Sequence, residues 1–240
     1  MKDTIKIGVP FKGMVAHRGA AFINTENTMR AFTFASTRSY HGMECDIHPT
    51  KDGHIVICHD SNINRVSGID AYIPNHTLDE LYKMPFIDIN TNKPDKELHV
   101  FLLSDYLELC KKTEKVPVIE LKETLKEEDV VKTVEIVKSF NLEDKVVFIS
   151  FFPGYLTKIR QMLPNAEIEF LTQMYTDSIL DLCIQFNFGI DADYHCMRED
   201  IIQKYHEHNL KVNVYTCNDL DTAHKLISWG IDYITTNILE

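Results

Sequence analysis

The chain has 240 residues, 36 acidic against 25 basic side chains and a net charge of −11. That length fits one core of barrel size, roughly 250 residues, better than two domains, and the acidic balance argues against nucleic acid as an extended partner. Six cysteines, at 45, 58, 110, 183, 196 and 217, are scattered without a CxxC pair; they fit a reducing compartment better than a disulfide framework.

Residues 1–13 contain no long apolar stretch, and nowhere does the chain reach the ~18 consecutive apolar residues that span a bilayer. A soluble, cytoplasmic protein is expected. A short apolar strand at 14–17 ends in His17-Arg18-Gly19. Glu26-Asn27-Thr28 then leads into a first helix, with Asn27 as the expected cap and Phe32 in the core. At 42–47 the residues alternate, so that Glu44 and Asp46 share one strand face while Met43, Cys45 and Ile47 occupy the other. Asp52-Gly53 is a hairpin turn signal before the β-rich run HIVIC, which delivers His59 at its end. The segment 60–105 is irregular, with Gly68, Pro74, Pro85, Pro94 and the charged cluster TNKPDKE. It reads as an excursion near a site mouth.

In the run VPVIELKE at 116–123, Val116, Val118, Glu120 and Lys122 fall on one face. Beyond it, helical and strand patterns alternate: a helix at 128–141, a strand at 145–151, a helix from Pro153, the strand EIEFLTQ and a helix at 177–187. The run GIDADY, a helix at 198–209, KVNVYTCN, a helix at 219–228 and DYITTN complete the series. Eight strand units predict an α/β fold, a (β/α)8 TIM barrel filling 1–240 as one domain, with a small insertion after the second strand. The eighth helix is expected to be reduced or missing. Residues 1–13, or a partner subunit in a homo-oligomer, are the candidates to cover the gap.

Strand ends of a parallel α/β fold present chemistry, and His17, Glu44, Asp46, His59 and Glu120 all fall at or near them. This assortment suits phosphoryl transfer. Three converging carboxylates, Glu44, Asp46 and Glu120, form an oxygen-only set that suits a hard divalent cation, Ca²⁺ or Mg²⁺, over zinc. The structural alternatives are a solvated edge for Glu44 and Asp46 and an internal ion pair for Glu120 with Lys122. The other nine histidines, among them His41, His48, His54, His195 and His206, are assigned no chemistry.

HRG at 17–19, ENT at 26–28 followed by Ala31-Phe32, ExD at 44–46, T-x-DG at 50–53, HD at 59–60 and Arg65 with Gly68 together resemble the glycerophosphodiester phosphodiesterase family. ELK at 120–122, Ser150-Phe151, YTCN at 215–218 and GIDYITTN at 230–237 extend the likeness over essentially the whole chain. The chain departs from the family pattern at Thr25 for proline, Tyr215 for tryptophan, and Asn237 and Leu239 for aspartate and proline. The resemblance implies metal-dependent hydrolysis of a small glycerophosphodiester to glycerol 3-phosphate and an alcohol. It implies a cation held by Glu44, Asp46 and Glu120, with Arg18 and Lys122 at the phosphate. His17 and His59 would be the general acid and base, passing through a cyclic phosphate formed by the glycerol 2-hydroxyl. Tyr215 is a candidate to stack on the substrate or to fill the barrel mouth. Two alternatives stay open: the same chemistry on lysophospholipids, with an apolar groove drawn from Phe11, Phe86, Phe101, Phe151 and Phe152, and a catalytically silent phosphate-binding barrel.

Overall fold

The structure is a computed structural model that describes residues 3–240. In chain order the strands begin with β1 (Met14–His17), β2 (Gly42–Pro49), β3 (Ile55–Ile57), β4 (Phe86–Asp88), β5 (Lys93–Asp95) and β6 (Val116–Leu121). They continue with β7 (Val147–Ser150), β8 (Glu167–Thr172), β9 (Gly189–Asp193), β10 (Val212–Tyr215) and β11 (Tyr233–Thr236). The α-helices are α1 (Met29–Ser36), α2 (Asn64–Ser67), α3 (Leu78–Leu81), α4 (Leu103–Thr113), α5 (Glu127–Ser139), α6 (Pro153–Met162), α7 (Asp177–Phe186), α8 (Glu199–Glu207) and α9 (Leu220–Ser228).

Eight of the strands close a parallel barrel in the order β1, β2, β6, β7, β8, β9, β10, β11. Closure is made by β1, which pairs in parallel with both ends of the series: Ala16 lies opposite Thr236 on one side and Met43 on the other. Strand alternation divides the apolar residues into two layers. Val15, Val118, Val147, Ile149 and Leu171 cluster inside the barrel. Met43, Cys45, Ile47, Ile119 and Phe148 point outward into the larger core beneath the helices. There Phe32 meets Phe101 and Tyr106 edge-on, with ring centroids 5.9 and 5.0 Å apart. The hydroxyl of Tyr106 donates to the carbonyl of Met43, anchoring α4 to β2.

The Asp52-Gly53 turn returns the chain as expected, and β3 runs antiparallel to the end of β2, with His48 opposite Val56. The excursion that follows carries α2, α3 and the β4–β5 hairpin around a small core of its own, including Ile63, Ile73, Leu81, Phe86 and Leu98. Thr25 docks it against the β1 loop. Its hydroxyl donates to the Ile87 carbonyl at 2.9 Å and accepts from the Ile89 N–H at 3.1 Å. Arg30 adds ion pairs to Asp88 and Asp95.

After β11 the described residues form no helix. Instead Ile5 and Ile7 pair with the tail: Ile5 N–H donates to Ile238, Glu240 N–H to Ile5 and Ile7 N–H to Glu240, at 3.0, 2.8 and 2.8 Å. The His224 ring on α9 lies 2.6 Å from the Ile7 carbonyl, while Asp3 pairs with Arg38 just beyond α1. The N-terminal segment therefore crosses from α9 to α1, which is where an eighth helix would lie. Among the described residues no helix is long and apolar enough to cross a membrane.

Candidate active site at the carboxyl ends of the barrel strands

Register brings the predicted residues together. In the parallel pairing His17 lies opposite Glu44, and Asp46 lies opposite Glu120. Because alternate residues point inward, these four side chains converge on one quadrant of the barrel interior. One oxygen from each of Glu44, Asp46 and Glu120 lies within 4.8 Å of the others. All three acids are buried, so the solvated-edge alternative for Glu44 and Asp46 does not hold.

Lys122 Nζ lies 2.7 Å from Glu120 Oε1 and 3.1 Å from Asp46 Oδ1, so the ion pair weighed as a structural alternative exists and is shared with Asp46. Arg18 Nε is 3.4 Å from Asp46 Oδ2, and the Arg18 backbone N–H donates to Glu44 Oε2 at 3.1 Å. That second bond requires a tight turn. Arg18, Gly19 and Ala20 all have positive φ, 50, 80 and 64°. At Gly19 a Cβ would meet Ala31 of α1 at 2.8 Å, so only glycine lets the turn approach the helix. Left-handed Arg18 and Ala20 store roughly 1 kcal/mol or more each in this loop.

The expectation that Asn27 caps the first helix is corrected. Thr28 is the cap, its hydroxyl accepting from the Ala31 N–H. Asn27 has a φ of 52°, which turns its side chain into the site, where Nδ2 donates to Asp46 Oδ2 at 2.7 Å. Beside it Glu26 joins the excursion to the site. Glu26 accepts from Arg18 at 2.9 Å and from both terminal nitrogens of Arg65 at 2.7 and 2.8 Å; Arg65 Nε also donates to Asp60 Oδ2 at 2.6 Å. Asp60 Oδ1 in turn lies 2.6 Å from His59 Nδ1. His48, assigned no chemistry, is buried beneath His59 with Nε2 3.0 Å from the His59 carbonyl and Nδ1 2.6 Å from Thr124 Oγ1. At the other histidine, Asn237 Oδ1 lies 2.7 Å from His17 Nδ1.

Charge in this cluster is unevenly held. Burial works against the Asp46 carboxylate, yet Lys122 and Arg18 outweigh it and hold its pKa well below the usual range. Glu44 is pushed well above its ordinary value by burial and by Asp46. Glu120 is pushed up to about 8 by the same two causes, against the pull of Lys122. Burial and the neighbouring Arg18 bring His17 down to about 4, and burial lowers His59 as well. The cluster therefore holds one firm carboxylate, two reluctant ones and two imidazoles that burial disposes toward the uncharged form.

These groups line a cavity of about 270 Å³ that opens between the strand ends. His17, Arg18, Glu44, His59, Glu120 and Lys122 form its polar side, while Ile149, Phe151, Leu171 and Tyr215 form an apolar one. Tyr215 is pinned by donating its hydroxyl to the Thr172 carbonyl at 3.0 Å and meets Phe151 edge-on at 6.3 Å. The expected apolar groove is mostly dispersed. Phe86 and Phe101 are core residues, and Phe11 packs against the core at Gly13, below the strands. Of the five phenylalanines only Phe151 lines the cavity, with Phe152 exposed next to it.

Comparison with known proteins bears on the family and the fold. Residues 17–240 match the model of the glycerophosphoryl diester phosphodiesterase family. An uncharacterised protein of Bacillus subtilis is 30% identical over 94% of this chain and 94% of its own. A glycerophosphodiester phosphodiesterase of Caldanaerobacter subterraneus is 24% identical, covering 93% of each. Among solved structures, an Oleispira antarctica phosphodiesterase in complex with the product sn-glycerol-3-phosphate superimposes with a TM-score of 0.87 at 22% identity, covering 97% of this chain and 95% of that one. With its family match running from the catalytic-candidate His17 to the last residue, the chain belongs to the glycerophosphoryl diester phosphodiesterase family of enzymes.

Proposed function

We propose that this enzyme hydrolyses glycerophosphodiesters to glycerol 3-phosphate and an alcohol in a reaction that needs a divalent cation. The observation that carries the reading is the convergence of Glu44, Asp46 and Glu120 between His17 and His59. The donor set fits a cation. It offers three carboxylates, no sulfur and no imidazole within the cluster, and Glu44 Oε1 is buried without a hydrogen-bond partner. Such a set suits Ca²⁺ or Mg²⁺. When bound there, the ion would supply positive charge against the phosphoryl oxygens and lower the pKa of a hydroxyl beside it.

The chain's own residues account for the remaining chemistry. Arg18, with a planar fork, and Lys122, as a point charge, neutralise the phosphodiester anion that otherwise repels nucleophiles. One imidazole of the His17–His59 pair takes the proton from the glycerol 2-hydroxyl as its oxygen bonds to phosphorus. The other, entering the reaction as an imidazolium, gives its second proton to the departing alcohol oxygen as that P–O bond breaks and is left neutral. Water then opens the cyclic phosphate with the two roles exchanged. Tyr215 and Phe151 form an apolar wall against which the carbon skeleton of the substrate rests. The Oleispira relative is in complex with the product sn-glycerol-3-phosphate, which supports the same product here. All six cysteines are free and five are buried, which supports a reducing, cytoplasmic setting.

A second substrate class, lysophospholipids, is favoured by one observation. Phe151, Phe152 and Met174, which follow β7 and β8 at the cavity end of the barrel, are 38, 41 and 60% exposed. Turnover of glycerophosphocholine against its lysolipid counterpart separates the two. Glycerol 3-phosphate release is expected with Ca²⁺ or Mg²⁺, is abolished by EDTA, and falls at least ~100-fold in H17A and in H59A while both variants stay folded. Absence of hydrolysis under every cation and pH tried would return the molecule to the silent-barrel alternative.

A further inference from the structure

On the reading that His17 moves protons, we propose that Asn237 is a positioning residue that locks His17 in a single tautomer, its Nδ1–H donated to the Asn237 amide oxygen and its Nε2 lone pair turned into the site. An uncharged imidazole has one N–H and one lone pair, so the bond made at one nitrogen decides what the other offers. Here Nδ1 lies 2.7 Å from Asn237 Oδ1, whereas Nε2 points the other way, 3.9 Å from Glu44 Oε2.

Asn237 is itself held in place. Its backbone N–H donates to Asn218 Oδ1 at 2.7 Å, and its carbonyl accepts from the Phe22 N–H at 3.3 Å. The Thr236 hydroxyl donates to the same Asn218 oxygen at 3.1 Å and accepts from the N–H groups of Ile238 and Leu239 at 3.3 and 3.1 Å. The turn after β11 is thus braced by the loop after β10 on one side and the β1 loop on the other. The chemistry of an amide also matters. It accepts the imidazole N–H without adding a fourth negative group beside Glu44, Asp46 and Glu120. His59 differs, since its Nδ1 faces the Asp60 carboxylate at 2.6 Å. The two imidazoles are therefore backed by partners of different charge. An Asn237 amide turned by half a revolution would donate to Nδ1 and leave the proton on Nε2, which is the arrangement the test must exclude.

Long-range ¹H–¹⁵N correlation of the full-length protein, at about pH 8 where imidazoles are neutral, reads the tautomer directly, with the His17 signals identified by their loss in H17Q. A protonated Nδ1 and a bare Nε2 are expected. The opposite pattern overturns the proposal. In N237A the two tautomers should mix and kcat should fall by roughly 100-fold, with KM changed less than about threefold. N237D, whose carboxylate can accept the same N–H, should recover most of that loss. An N237A enzyme that keeps full kcat, or one that loses kcat with an unchanged tautomer, also overturns it. If N237A fails to fold, the wild-type spectrum and N237D still decide. Undiminished turnover in H17A would instead sink the acid–base role of His17 while leaving the tautomer measurement standing.

Discussion

Asn27 and Thr28 are neighbours with separate duties, and the difference is measurable. Thr28 caps α1, so Thr28→Ala should cost about 1 kcal/mol of stability and leave cation affinity alone. Asn27 orients Asp46, so Asn27→Ala should weaken Ca²⁺ or Mg²⁺ binding by ~10-fold or more, as read by titration calorimetry. Equal affinities in Asn27→Ala and wild type would show that Asn27 does not orient Asp46 for the cation. The expectation that Asn27 caps α1 followed from composition, because asparagine before a helix usually caps it. The left-handed backbone at Asn27, which aims its side chain 19 residues onward to Asp46, has no local signature. The carboxylates and histidines were legible because each sits at the end of a β-patterned run. Asn237 was visible only as a departure from the family pattern; its bond to His17 joins residues 220 apart in the chain.

Among the elements, the excursion between β3 and α4 packs on β3 through an apolar core and is tied to the β1 loop by a few polar contacts. Thr25 alone makes two of them, and each is worth about 0.5–1.5 kcal/mol. Thr25→Val keeps the side-chain shape and removes both. Amide exchange at Ile87 and Ile89 should speed up in that variant, while exchange in β6 and β7 stays at the wild-type rate; uniform acceleration would mean that the excursion and barrel unfold as one unit. The element pattern itself was readable, since alternating strands and amphipathic helices repeat in order and their ends shift by at most three residues. The excursion was readable only as an irregularity. Its short elements have too few residues for a periodic signal, and Arg65, which ties it to Glu26 and Asp60, carries no periodicity at all.

The barrel as a whole encloses a second pair of acids, Asp191 lining the site cavity and Glu169 one inward layer below it. Glu169 and Asp191 are 0 and 1% exposed, each with an oxygen lacking a partner; Glu169 accepts one bond, from Asn213 at 3.2 Å. Burial raises both pKa values well above the ordinary range, and Asp191 raises that of Glu169 further, with Glu167 and Asp232 adding to it. An acid whose pKa is raised on folding favours the folded state below its unfolded value, near 4, and that contribution is lost as the pH climbs through the folded value. The thermal midpoint, measured with a saturating divalent cation, should therefore fall from about pH 5 toward alkaline pH. Glu169→Gln should flatten the decline. A slope identical to wild type would show that other groups govern it.

Local chemistry in the chain was enough to determine the eight strand units, the inward-facing carboxylates and the family. Those features rest on period-two alternation, turn residues and short motifs, which neighbours in sequence decide. Tertiary structure alone decided how charge is shared between Asp46 and Glu120, which amide backs His17, and what covers the open side of the barrel. Each of these depends on side chains or strands brought together from distant parts of the chain. Hydrogen bonding and burial act over a few ångströms of space, and no spacing in sequence announces them.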